Sequence, residues 1–102
     1  MYYLTKSKYM SIIKEIKKKN NPPLTFPDTS FQKDLDKYSA RFLGWAIWCF
    51  VMLPEPQTDE EKKSIEMVKN YLKKNLTIVD DSDADKYELY DWDSKRTVIE
   101  HL

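Results

Sequence analysis

The stretch Lys37-Tyr38-Ser39-Ala40-Arg41-Phe42-Leu43-Gly44-Trp45-Ala46-Ile47-Trp48-Cys49-Phe50-Val51-Met52-Leu53 decides the fold. Read at helical spacing, Leu35, Tyr38, Phe42, Trp45, Cys49 and Met52 fall on one stripe. Read at strand spacing, the segment is rich in Trp, Phe, Ile and Val, and Leu43-Gly44 suits a turn between two strands. Gly44 is the only glycine in the chain, and inside a helix it costs about 1 kcal/mol relative to alanine. The stretch alone supports both readings.

An internal recurrence tips the choice. Ser11 to Asn20 is followed by Leu24-Thr25-Phe26 and then by Asp36-Lys37-Tyr38. Glu66 to Asn75 is followed by Leu76-Thr77-Ile78 and then by Asp85-Lys86-Tyr87. A basic amphipathic helix, an extended Leu-Thr-apolar segment and an Asp-Lys-Tyr thus recur in order. The second copy continues through Tyr87 and Leu89, alternating with Glu88 and Tyr90, to a turn at Asp93-Ser94-Lys95 and a returning strand over Arg96–Leu102. That segment reads poorly as a helix, so the recurrence favours a hairpin for residues 37–53 as well. The expectation is one α+β domain over residues 1–102, built from two helix–strand–hairpin units, 1–53 and 54–102, related by a pseudo-twofold axis. Units of this size are marginal alone and should share one core.

The helices around this question read more plainly. Residues 6–19 place Tyr9, Met10, Ile13 and Ile16 on one face, with Lys17, Lys18 and Lys19 at the C-terminal end, where cations suit the helix dipole. Asn20-Asn21-Pro22-Pro23 ends it. Residues 24–26 look extended until Pro27. Thr58-Asp59-Glu60-Glu61 has the form of a capping box, which starts a helix to about Lys74 that buries Ile65, Val68, Tyr71 and Leu72. Leu76–Val79 follows as a short strand and Asp80–Asp85 as an acidic loop.

Apolar residues make up 41% of the chain and aromatic residues 14%, enough for a core. Net charge is zero, yet residues 1–53 carry +5 and residues 54–102 carry −5. Such halves attract each other, or orient a partner. A single cysteine, Cys49, excludes an internal disulfide and lies within an apolar run, as a small buried hydrophobe does. That run, Phe42 to Leu53, has 12 residues, short of the roughly 20 that cross a bilayer. No membrane association is expected.

Chemistry-bearing patterns are sparse. Nucleophilic catalysis needs a nucleophile, a base and an orienting group. The one histidine, His101, is next to the last residue, and Cys49 is apolar in its surroundings. One glycine excludes the phosphate-cradling loops. Asp81-x-Asp83-x-Asp85 starts like a calcium loop, but Lys86 stands where glycine is needed and Trp92 where the bidentate glutamate is needed. No enzyme activity, cofactor or metal is expected.

What remains is recognition. Three Trp and seven Tyr exceed what so small an interior holds, so some rings reach the surface. Phe26, Phe31, Trp45, Trp48, Tyr90 and Trp92 are the candidate lining of a groove between the two units, holding a protein or peptide partner. The alternative is nucleic acid on the face of Lys14, Lys17, Lys18 and Lys19, with Tyr2, Tyr3 and Tyr9 to stack on bases. An acidic mimic that blocks a DNA-binding protein is a variant of that alternative, drawn from the acidic second half.

The length of 102 residues, the Lys-, Glu-, Tyr- and Ile-rich usage, and the two-unit layout of Leu24-Thr25-Phe26 and Leu76-Thr77-Ile78 resemble the small proteins of the filamentous viruses of hyperthermophilic archaea, such as the Acidianus filamentous viruses. Four Asn, two Gln and one Cys suit a hot host, although the Asn20-Asn21 pair departs from that habit. The resemblance implies a viral protein of the host cytoplasm without enzymatic function. It carries over no site residues.

Overall fold

A computed structural model describes residues 1–95. The order is β1 (Tyr2–Thr5), α1 (Lys6–Lys19), a 3₁₀ turn (Thr29–Phe31), α2 (Gln32–Lys37), α3 (Ser39–Met52), α4 (Asp59–Asn75), β2 (Leu76–Val79), a second 3₁₀ segment (Asp81–Lys86) and α5 (Trp92–Lys95). The class is α+β, mostly helical with one small sheet. β1 and β2 pair in parallel, Tyr2 opposite Leu76 through Thr5 opposite Val79. A parallel pair needs a long crossover, and here that crossover contains α1 through α4.

Residues 39–52 form a helix, which corrects the expected hairpin. Ala46 and Ile47 are both fully buried although they are adjacent. Adjacent residues of a strand point to opposite faces, whereas a broad helical arc buries both. Leu43, Ala46, Ile47 and Cys49 of α3 form the centre of the core, with Ile12 and Ile16 from α1, Leu35 from α2, Met67, Val68 and Tyr71 from α4, and Leu4 from β1. A helix packed on several sides recovers more from burial than Gly44 forfeits in propensity. Gly44 has no positive φ and is itself buried. What it supplies is a missing side chain within tight packing. The stripe of Tyr38, Phe42 and Trp45 is the less buried side of this region, not the core side.

Other expectations shift for local reasons. Residues 24–26 are not a strand: Leu24 is fully exposed, and the prolines at 22, 23 and 27 remove ladder donors. Beyond Lys86, Leu89 makes only an isolated bridge to Tyr3, supported by the Tyr90 N–H donating to Tyr3 O at 2.9 Å. Asp93-Ser94-Lys95 falls in α5 rather than a hairpin turn, and the returning strand expected over Arg96–Leu102 lies outside the described residues. The two halves therefore have different element orders, and a pseudo-twofold relation between them is not confirmed.

The helix ends follow their sequence signals. Thr5 caps α1 by accepting from Lys8 N–H at 3.2 Å, and Asp81 accepts from Ser7 N–H at 3.1 Å, satisfying a second first-turn donor from across the chain. Those contacts hold the Asp81 carboxyl below its ordinary range, Ser7 N–H contributing most. Asn20 closes α1 in the left-handed region (φ 49°, ψ 51°), its N–H on Ile16 O. At α4, Glu61 N–H donates to Thr58 Oγ1 at 3.1 Å while Glu61 Oε1 accepts from Thr58 N–H at 3.3 Å, a complete capping box. Buried Ser64 donates to Pro27 O at 2.6 Å and ties the 24–28 segment to α4.

Ile47→Ala is expected to lose about 2 to 5 kcal/mol of unfolding free energy, because a fully buried side chain leaves a cavity. Thr58→Ala is expected to lose about 1 kcal/mol by removing the α4 cap. Urea titration followed by circular dichroism measures both.

Candidate functional site

The six aromatic candidates do not line one groove. Phe31 and Trp45 meet, with ring centroids 6.2 Å apart. Trp48, one turn further along α3, is half-buried and its indole N–H donates to Asn21 O at 2.8 Å. Phe26 lies elsewhere, in an open polar cleft of about 640 Å³ shared with Asp28, Glu60 and Glu61. Tyr90 rests edge-on against Tyr2 of β1, centroids 4.9 Å apart. Trp92 is 2% exposed and belongs to the core, with an indole N–H that has no partner. Trp92 and Phe26 therefore leave the expected groove lining, the first by burial and the second by location.

What assembles instead is a surface patch on the outward side of α3. Phe42 packs on Trp45 (centroids 5.8 Å) and Tyr38 packs on Phe42 (6.4 Å), so four rings run in sequence from Phe31 to Tyr38. Phe31 is 42% and Tyr38 43% exposed. The 3₁₀ turn places Phe31: Asp28 caps it by accepting from Ser30 N–H at 2.9 Å, and Phe31 N–H donates to Asp28 O. Helical spacing places the other three at positions 38, 42 and 45. Lys37 sits over the Tyr38 ring, its Nζ 5.2 Å from the centroid, a cation–π contact. Lys33 and Arg41 are also exposed nearby in sequence, as are Asp34 and Asp36, so the rim carries charge of both signs. Such a patch, aromatic at its centre and charged at its edge, has the composition of a protein-recognition surface.

Tyr38 and Phe42 are patch residues that were not among the groove candidates. The signal was the helical stripe they share with Trp45, set aside when the recurrence favoured a hairpin. Lys14, Lys17, Lys18 and Lys19 are exposed on α1 as a face of positive charge.

Burial pushes the Cys49 thiol up to about 12. Asp81 is engaged by Ser7, and Asp83 pairs with Lys86 at 3.2 Å, so the acidic segment makes protein contacts. His101 lies outside the described residues. Among the described residues no helix is long and apolar enough to cross a membrane.

No family model matches the chain, and neither a curated protein nor a solved structure is significantly similar to it.

Since the thiolate is the reactive form, the Cys49 shift leaves roughly a thousandfold less of it than an unperturbed thiol carries. Native protein at about pH 8 is expected to resist Ellman's reagent and to react fully in guanidinium. Rapid native labelling would show that Cys49 is accessible.

Proposed function

We propose that this chain is a non-enzymatic protein-interaction module that holds a partner segment on the aromatic patch of α3. The observation that carries the reading is the run Phe31–Trp45–Phe42–Tyr38, four contacting rings with both ends more than two-fifths exposed. Burying such rings under a partner removes much apolar area from water for little loss of side-chain freedom. A monomeric surface seldom keeps a contiguous patch of this kind without use. The site differs from the groove between two related units that the sequence suggested: it lies on α3, its N-cap Tyr38 and the 3₁₀ turn that precedes α2.

The cations nearest the rings bear on the partner's chemistry. Lys37 and Arg41 favour a segment that sets aromatic or aliphatic anchors on the rings and carboxylates at the edge. Nucleic acid on the Lys14–Lys19 face is the competing reading. It differs in its salt dependence, because phosphate binding releases counterions and apolar contact does not.

Peptide display against the protein is expected to select acidic segments with aromatic anchors. Trp45→Ala or Phe31→Ala should weaken the selected peptides about tenfold or more. Binding should hold as salt rises from about 0.1 M to about 0.5 M, apart from a modest contribution of the rim. If instead only nucleic acid binds, is lost in high salt and is abolished by Lys17, Lys18 and Lys19→Glu, the patch reading is wrong.

A further inference from the structure

Among the described residues the small sheet is protected on one side only. The outer side of β1 is covered by the segment carrying Leu89 and Tyr90, through the bridge to Tyr3. β2 has β1 as its one strand neighbour among the described residues. In a parallel pair alternate residues turn their N–H and C=O groups away from the partner strand, so β2 offers main-chain donors and acceptors along its outer edge. Natural edge strands are usually guarded by charge, proline or a bulge. Leu76-Thr77-Ile78-Val79 carries no charge and no proline.

Beside this edge lies an apolar groove of about 560 Å³, floored by Phe50, Leu72, Leu76 and Ile78, with Glu66 and Lys73 on its rim. Phe50 is 46% exposed. In the β1–β2 register Leu4 stands opposite Ile78, and Leu4 is buried. Leu76 and Ile78 therefore point to the core side of the sheet, and their exposure in the groove marks where a further strand and its covering layer would lie.

We propose that this edge and groove form a self-association surface, at which a second copy of the chain joins β2 to β2 in antiparallel fashion about a twofold axis through Thr77. The proposal is independent of the aromatic patch and shares no residue with it. Side-chain parity selects the register. Residues opposite each other in a continuous sheet share a face, so the axis must pass through a residue and not between two. An axis at Thr77 sets Leu76 opposite Ile78 of the second copy and Thr77 opposite its mate. An axis at Ile78 would set Leu76 opposite Asp80, a carboxylate paired with Lys6 at 2.8 Å. The groove rim carries both signs, Glu66 with Lys69 and Lys73, so two copies of the same rim can set opposite charges against each other. Zero net charge leaves no long-range repulsion between copies.

Sedimentation equilibrium of the full chain at about 0.1 mM, where mass action favours association, is expected to give a dimer, twice the 12.3 kDa of one chain. Phe50→Glu should shift it to the monomer with an unchanged circular dichroism spectrum, by placing a charge in each groove. Thr77→Cys should give an interchain disulfide under mild oxidation, which Cys49 does not form in the parent chain. A monomeric parent chain overturns the proposal. So does a dimer that a folded Phe50→Glu leaves intact, or one that Thr77→Cys fails to cross-link.

Discussion

The packing of α3 against everything around it is the constraint on which the rest depends. Leu43, Ala46, Ile47 and Cys49 fill the centre of the core, and α1, α2 and α4 all lie against this one helix. Full burial of those side chains removes a large apolar area from water, at about 25 cal/mol per Å². That fixes the rotation of the helix about its axis. Once the rotation is fixed, Tyr38, Phe42 and Trp45 are carried to the outer side, where Phe31 meets them. Phe50, on the same side as Leu43 and Ile47 but near the helix end, is 46% exposed and lines the groove beside β2. Core, patch and groove are three consequences of one helix seated in one orientation.

Elements with polar contrast were legible in the sequence. α1 spans Lys6–Lys19 and β2 spans Leu76–Val79, as their residue patterns indicated, and α4 starts at the capping box of Thr58 and Glu61. The exposed faces of α1 and α4 are rich in lysine and glutamate, so the elements were plain, but the buried sides are rotated from those read. α1 buries Ile12 and Ile16 while Met10 is 52% exposed, and α4 buries Ser64 and Met67 beside Val68 and Tyr71. α3 lacks that contrast. Its residues from Phe42 onward are apolar all round, and periodicity says little about a helix packed on several sides. Gly44 and the aromatic and β-branched composition then pointed to strands, and tertiary packing overrode both preferences. The same blindness hid the site. Trp45 and Trp92 are equally apolar in sequence, but α3 half-exposes the first while the turn after Tyr90 buries the second. Phe31 and Trp45 were legible as recognition residues by type. That they meet each other, and that Phe42 and Tyr38 extend them, depends on a helix the sequence left open.

The uneven charge found in the sequence reappears as links between the halves. Lys6 pairs with Asp80, Lys8 with Asp93 at 2.8 Å, and Lys74 with Asp36 at 2.9 Å. All these pairs are substantially exposed, so they add little stability. Their effect is orientation. Lys6, Ser7 and Lys8 at the start of α1 meet Asp80, Asp81 and Asp93, which fastens the acidic C-terminal segment beside β1. That placement covers one edge of the sheet, and among the described residues the other edge has no strand beside it. Lys6–Asp80 and Lys8–Asp93 join the basic half to the acidic one, whereas Lys74–Asp36 runs the other way, and Lys14, Lys17, Lys18 and Lys19 stay exposed on α1.

The central claim is that residues 39–52 form one continuous helix seated by its Leu43–Ile47 side. Backbone chemical shifts of the labelled protein test this most directly, because the Cα shift reports φ and ψ at each residue. The account predicts helical shifts from Ser39 to Met52, unbroken through Leu43 and Gly44. Strand-like shifts on either side of a turn at Leu43-Gly44 would contradict it, and would remove the patch and the groove together.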